Sequence, residues 1–476
     1  MKIFNTLTKK KESFNLPDKK VRMFVCGPTV YDYPHIGHAR TYIMFDVVAK
    51  YLRHEGYDVF YLQNITDIDD KIIARAKEQG REIKELTEEF EKIYMEDMVA
   101  LGINSVDKYA RATEHISEIV AQVKKLIDKG HAYKIDPSAE LRTSGLASSD
   151  GAGGYYFDLS TFEDYGKLSG RTAAQAEDSV SRIDESVGKR NKGDFVLWKL
   201  SKEGESGWES ELGYGRPGWH IEDTAISEKY LGDQYEIHCG AQDLMFPHHE
   251  SEIAQQEAAS GKKPFVKYWL HSGLLTVEGK KMSKSLGNFV TIRDILEKYP
   301  AEAVRMMFLM SNYRSPVDYS EQNLKQAEAA VQRISEFVNR LNLSSSPGDS
   351  GLDRIILNDS KEQFEKEMDD DFNTPKAVAV IFDLIKKINP MIDEGKISKD
   401  DAEITLGILN EFNDVLGVVP AEYSSVPDEI KKLAKEREEL RKDKKFEEAD
   451  KARDELKEKG FKVEDTEWGP LIKKIK

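Results

Sequence analysis

The 476-residue chain is 39% hydrophobic and 33% charged, enough apolar material for two or more packed domains and too much for global disorder. Its net charge of −16 excludes a protein that coats nucleic acid indiscriminately, while a local basic surface stays open to RNA. No apolar run approaches the roughly 20 residues that span a bilayer, Met1 to Phe14 lacks a secretory-type core, and Cys26 and Cys239 alone cannot build a disulfide framework, so a reducing cytoplasm is the expected location.

In chain order, Val21, Met23 and Val25 alternate with Arg22, Phe24 and Cys26, which predicts a strand that stops at Gly27-Pro28 with Cys26 at its carboxyl end. A helix is predicted over 37–54, with Ile43, Val47, Val48, Tyr51 and Leu52 on one face and Gly56 closing it. Residues 58–65 read as a second strand, so a parallel sheet begins here. Residues 111–216 differ in character and read as an insertion, with the Gly/Ser/Ala-rich stretch 138–154 as a surface loop. The sheet then resumes: 235–239 as a strand, 240–246 as a turn, and 247–259 as a helix with Pro247 at its first position. Beyond Met310, amphipathic helical patterns cover 321–341, 361–388 and 401–416. The last unit, 428–476, reads as one long charged helix or a helix pair, then a small strand near 461–463. Its basic residues include Arg441, Lys442, Lys444 and Lys445.

Three clusters carry chemistry. His35-Ile36-Gly37-His38 falls where strand gives way to helix, so backbone amides and the helix dipole favour an anion there. Gly37 lets a nucleobase or phosphate approach the backbone, and the two imidazoles can donate to phosphate oxygens. The competing reading is a pair of capping or surface histidines. Lys281 and Lys284, in Lys281-Met282-Ser283-Lys284-Ser285, lie on a loop before a capping box at Thr291 and Asp294, and lysine suits a moving phosphate. Alone, that run reads equally as a solvated basic turn. Third, His248 and Glu252 are i and i+4 on one helix face, and Cys26 with Asp223 would complete a donor set compatible with zinc. Against this stand a buried structural cysteine, Asp223 as a helix cap, and Cys239 as a rival thiol.

The runs FVCGPTVYDYPHIGHART, NITDIDDKI, RPGWHIED, DLMFPHHESEIAQ, YWLHSG, KMSKSLGNF and DDDFNTP occur in an order that resembles the cysteinyl-tRNA synthetase family of class I aminoacyl-tRNA synthetases, over nearly the whole chain. The resemblance implies an α/β catalytic domain with a split Rossmann-like parallel sheet at 1–110 and 217–310, and an inserted connective domain at 111–216. A helical tRNA-orienting bundle at 311–420 and a small C-terminal α+β domain at 428–476, similar to the family's anticodon-binding unit, would follow. It implies ATP-dependent conversion of L-cysteine to cysteinyl-adenylate and transfer to tRNA(Cys), with Mg²⁺ accompanying ATP and one Zn²⁺ per monomeric enzyme selecting the thiol. By resemblance, His35, Gly37, His38, Lys281 and Lys284 handle ATP, and Thr66, Trp219 and His220 line the amino-acid pocket. Cys26, Asp223, His248 and Glu252 would hold zinc, with Asp223 standing where the family commonly has a second cysteine. Arg441, Phe446 and Asp450 would read the anticodon, or else be ordinary residues of an amphipathic helix. The other functions weighed are a related ligase that joins cysteine to an amino sugar and a non-catalytic RNA-binding relative.

Overall fold

Five parallel strands build the central sheet, in the order Val266–Ser272, Tyr235–Ala241, Lys20–Val25, Asp58–Ile65, Lys108–Arg111. The computed structural model describes every residue except 137–152, 172–174, 176–187, 203, 284–285, 345–351, 421–425, 467–468 and 476. Both faces of the sheet are covered, as parallel strands require. Val21, Met23 and Val25 enter one core with the helix Ile36–His54, while Phe24 and Cys26 enter another with the helices Ile221–Leu231 and His248–Ser260. Sequence neighbours on one side of Lys20–Val25 come from the first half of the chain, and on the other side from the second half. The strand order therefore reverses between Lys20–Val25 and Tyr235–Ala241, and a crevice opens at their carboxyl ends.

The insertion carries the helix Ile116–Asp128 and a four-stranded antiparallel sheet of Ala132–Ile135, Gly154–Phe157, Phe195–Leu200 and Gly215–Pro217. The loop expected over 138–154 lies outside the described residues up to 152, and Gly154 already belongs to a strand. The expected turn at 240–246 is shorter, because the strand runs on to Ala241 and a single 3₁₀ turn fills Gln242–Met245. Pro247 is the residue capping the next helix rather than its first member.

Five helices follow: Ala301–Leu309, Glu321–Leu343, Arg354–Asp369, Thr374–Asp393 and Lys399–Leu416. Their apolar faces extend the first core without interruption through Leu324, Val331, Phe364 and Phe412. The single amphipathic pattern expected over 361–388 is two helices. Asp371 (φ 67°) and Phe372 (φ 50°) take left-handed backbone that a continuous helix forbids, and Phe372 is fully buried in the break. The final unit is a pair of helices, Asp428–Lys442 and Phe446–Glu458, packed on a hairpin of Phe461–Thr466 and Gly469–Lys474. Asn339 docks that hairpin on the bundle: its Nδ2 donates to the Pro470 carbonyl, and its Oδ1 accepts from Ile472 N at 3.3 Å.

Candidate functional site

The helix Ile36–His54 begins with a capping box made by the two histidines themselves. His35 Nδ1 accepts from Gly37 N (3.1 Å) and His38 N (3.4 Å), and His38 Nδ1 accepts from His35 N (3.3 Å). An Nδ1 that accepts a backbone N–H carries no proton, so each neutral ring bears its proton on Nε2. The rings stack at 3.8 Å, and burial and the neighbouring His35 hold His38 well below the usual histidine range. Capping and phosphate donation are thus compatible uses of the two ring nitrogens. A Cβ on Gly37 would come within 2.9 Å of the His35 ring, so glycine is required for this stacked arrangement.

The second phosphate-handling candidate is tied to the first by backbone. Ile36 N donates to Val290 O and Ile292 N to Pro34 O, both at 3.0 Å, and Phe289 meets the His35 ring edge-on at 5.4 Å. Lys281 ends the two-residue strand Lys280–Lys281 and is exposed. Asn288, unremarked in the sequence, spans the loop: its Oδ1 accepts from Ser283 N (2.9 Å) and its Nδ2 donates to Lys281 O (3.1 Å). Thr291 and Asp294 form the expected capping box. Lys284 lies outside the described residues.

Four side chains from three segments converge at the crevice floor. His248 Nε2 is 2.9 Å from Asp223 Oδ2 and 3.0 Å from Glu252 Oε1, and Cys26 Sγ is 3.9 Å from Glu252 Oε1. The donor atoms of Cys26, Asp223, His248 and Glu252 all lie within 4.8 Å of one another, and all four residues are buried. Asp223 does not cap its helix: it lies in the first turn of Ile221–Leu231, and its other oxygen accepts from Asn64 Nδ2 at 2.6 Å. Asn64 Oδ1 in turn accepts from Gly27 N at 2.6 Å, joining the two sides of the crevice. Cys239 points away. It belongs to the opposite core from Cys26, and only its backbone carbonyl approaches, accepting Cys26 N at 3.1 Å.

The donor set suits a divalent cation. Burial and the Glu252 and Asp223 carboxylates push the Cys26 thiol well up, and burial pushes Glu252 up to about 7. Burial opposes charge on His248, yet Glu252 and Asp223 overcome it and raise it to about 10. Glu252 Oε2 is buried without a hydrogen-bond partner. A cation there would stabilise thiolate and carboxylates together.

Two histidines missed in the sequence complete the surroundings. Cys26 Sγ is 3.3 Å from His238 Nε2 and 3.1 Å from His249 Nε2, so Cys26, His238, His249 and Glu252 form a second close group. Tyr235 OH sits 2.7 Å from His238 Nδ1, and His271 Nε2 2.8 Å from His249 Nδ1, which aims both Nε2 atoms at the sulfur. The His248-His249 doublet was visible in the sequence. That its second member also faces inward needed the helix position.

The residues expected to line an amino-acid pocket stand near this group. Trp219 lies 4.6 Å from the His248 ring, His220 Nδ1 is 2.8 Å from His248 Nδ1, and Thr66 Oγ1 donates to Glu222. Burial and Asp223 push the Glu222 carboxyl well up. Far from it, Phe446 is 56% exposed at the start of its helix, Asp450 is exposed, and Arg441 sits 3.5 Å from Asp465.

Comparison with known proteins agrees along the chain. Residues 12–329 match the family described as "tRNA synthetases class I (C) catalytic domain", 363–420 the "DALR domain", and 424–469 the "Cysteinyl-tRNA ligase anticodon binding domain". The chain is 44% identical to a cysteine–tRNA ligase of Thermococcus gammatolerans, covering 100% of this chain and 99% of that one. It is 44% identical to that of Clostridioides difficile, covering all of both. In fold it resembles Mycobacterium tuberculosis methionyl-tRNA synthetase in complex with methionyl-adenylate, at a TM-score of 0.62 and 16% identity over 84% of this chain and 92% of that one. It also resembles an Agrobacterium radiobacter LeuRS-tRNA-LeuAMS complex, at 0.60 and 12% over 87% and 86%.

Proposed function

The chain belongs to the cysteinyl-tRNA synthetase family, activating cysteine and charging tRNA with it, and we propose that Cys26, Asp223, His248 and Glu252 hold a zinc ion at the foot of its amino-acid pocket. The convergence of these four donors from three segments carries the reading. When bound, zinc supplies a Lewis-acidic position that favours a thiolate and offers a serine hydroxyl nothing comparable. That matters because shape alone rejects a near-isostere by only about a hundredfold. Between the two overlapping groups, the one with Asp223 brings a thiolate and two carboxylates, the other a thiolate and one, so the first is the more negative and attracts a divalent cation more strongly. His238 and His249 then act from behind, holding the Cys26 sulfur in place.

The chain's other residues do the positioning. Thr66, Trp219 and His220 line the pocket, and the Nε2–H groups of His35 and His38 face the phosphates of ATP, which arrives with Mg²⁺. The cysteine carboxylate attacks the α-phosphorus, an O–P bond forms, and the bond to pyrophosphate breaks. Charge that spreads onto the leaving oxygens is met by imidazole N–H groups, by the helix start and by Lys281 and Lys284. In the second step the terminal ribose hydroxyl of the tRNA displaces AMP. The amino-sugar reading gives no use for the terminal unit, and curated relatives along the full chain are ligases for tRNA. The decisive experiment is metal analysis of the purified enzyme together with cysteine- and serine-dependent exchange of pyrophosphate into ATP. One zinc per chain, and loss of cysteine preference on chelation, are expected; undiminished preference in metal-free enzyme overturns the reading.

A further inference from the structure

The run Asp369-Asp370-Asp371, which the reaction does not use, sits at the break between Arg354–Asp369 and Thr374–Asp393, 1% exposed at Asp371. Its third carboxylate is fully engaged by groups outside the two helices that flank it. Oδ1 accepts from Phe4 N (2.7 Å) and Tyr313 OH (3.0 Å), and Oδ2 accepts from Arg314 Nε (2.9 Å) and Nη2 (2.9 Å). The backbone there is left-handed at a non-glycine residue, a conformation that carries a cost and persists where surroundings enforce it. Asp371 N also donates to Lys2 O at 2.8 Å.

The residues it grips are gripped from the other side by the ATP-site helix. Arg40, two positions after His38 and 4% exposed, donates to the carbonyls of Tyr313 (3.3 Å), Leu274 and Ser315. Gly273 N donates to Tyr313 O at 2.7 Å, and a Cβ on Gly273 would collide with the Arg314 and Ser315 carbonyls at 2.6 and 2.5 Å. Directly beyond, Val317–Tyr319 pairs with Leu275–Val277, which pairs with Lys280–Lys281. Through Tyr313 the path from Asp371 to Lys281 runs by one buried side-chain hydrogen bond and then by backbone hydrogen bonds and ladders alone.

The geometry points to Asp371 as a positioning residue for adenylate formation, one that fixes the Lys281 hairpin against the His35–His38 helix from within the helical domain. It lies in that domain, so a shift of the bundle on tRNA docking is passed to the hairpin that carries Lys281. This rests on the reading of Lys281, His35 and His38 as ATP-handling groups.

The test is pyrophosphate exchange by the full-length enzyme in Asp371→Asn, Tyr313→Phe, Asp370→Asn, Phe364→Leu and Lys281→Ala. Asp371→Asn is expected to lower kcat about tenfold and raise KM for ATP, within the range that misplacement far from the chemistry produces, with KM for cysteine and zinc content unchanged. Tyr313→Phe deletes one hydroxyl and should shift the same two constants by about threefold, so it decides the matter should Asp371→Asn fail to fold. Asp370→Asn removes only the exposed pair with Lys11, and Phe364→Leu loosens the bundle core where Phe364 stacks on Phe412 at 4.2 Å; both should keep wild-type constants. If Asp371→Asn and Tyr313→Phe lower melting temperature as Phe364→Leu does and leave kcat and KM for ATP untouched, Asp371 is structural only. If Lys281→Ala leaves exchange intact, the ATP-site reading fails instead, independently of what Asp371→Asn shows.

Discussion

His248 Nε2 stands 2.9 Å from Asp223 Oδ2, an imidazole on one helix meeting a carboxylate on another where the strand order of the sheet reverses. The oxygen donor leaves the ligand charge unchanged relative to a thiolate while donating less electron density. Asp223→Asn, which keeps the shape and removes the charge, should weaken zinc binding by tenfold or more, whereas Asp223→Cys should keep one zinc per chain. Competition with a chromophoric chelator reads both. Equal affinity of the wild type and Asp223→Asn would remove Asp223 from the ligand set.

Asn64 offers a separate lever, since it contacts Asp223 at 2.6 Å and Gly27 N at 2.6 Å but is itself no ligand. Asn64→Leu should lower zinc affinity about tenfold, as loss of groups orienting a ligand does, and should also orphan the half-buried Gly27 amide. Zinc affinity and unfolding stability both fall in the expected outcome. A stability loss with unchanged zinc affinity would confine Asn64 to a structural role.

The observed capping role of His35 and its proposed contact with phosphate can be separated by one substitution. Asparagine is a good N-cap, so His35→Asn should hold the Ile36–His54 helix within about 0.5 kcal/mol of wild type while removing an Nε2–H donor. Exchange activity should drop about a hundredfold, the usual loss on removing one donor to developing charge. Thermal unfolding and exchange assayed on the same preparation give the answer; an active His35→Asn enzyme would leave His35 a cap and nothing more.

Acid should destabilise this fold through its buried imidazoles. Burial holds His220, His238 and His249 well below the usual range and His271 at about 3. Lowered folded-state values mean that the unfolded chain binds protons the folded chain refuses, so stability is intact above pH about 6.5 and is lost as pH falls, by up to about 1.4 kcal/mol per pH unit for each group. Against this, His248 is raised to about 10 and the Glu222 and Glu252 carboxyls are pushed well up and to about 7, so these groups favour the folded chain as pH falls and offset the imidazoles until about pH 4.5, where the carboxyls of the unfolded chain protonate as well. Urea unfolding should show a lower midpoint at pH 3.5 than at pH 4.5, where the lowered imidazoles act without that offset. Identical midpoints would mean these rings take up protons in the folded state.

Much of this was legible in the residues because strand period and helix caps are local. The alternation of Val21 to Cys26 placed Cys26 at the strand's carboxyl end, and the i, i+4 spacing of His248 and Glu252 put both on one face. What was illegible depended on distant partners. The helix His248–Ser260 carries His249, Glu250, Gln255 and Gln256, polar types that are mostly exposed or half-buried in folded proteins, yet all are buried here. Glu250 accepts from Ser169 N of the insertion at 2.9 Å and Gln255 donates to the His220 carbonyl at 2.9 Å, contacts between positions far apart in the chain. The helix break at Asp371 did carry a local signal, since Asp and Asn are weak helix formers and Pro375 opens the next helix, but only Phe4, Tyr313 and Arg314 explain the left-handed turn there.

The terminal unit makes its own prediction. Phe446 is 56% exposed at the start of Phe446–Glu458, an aromatic face with no core to fill, while neighbouring Arg441 is drawn toward Asp465. Stacking of an unpaired base on such a ring is worth about 1–3 kcal/mol, so Phe446→Ala should raise KM for tRNA about tenfold or more. The hairpin behind it is anchored by Asn339, far from the adenylation crevice, so pyrophosphate exchange in Phe446→Ala should match wild type. Steady-state aminoacylation with varied tRNA, run beside the exchange assay, separates the two. An unchanged KM for tRNA would make Phe446 an idle surface residue, and a fall in exchange would mean that the substitution disturbs the catalytic fold rather than the anticodon contact.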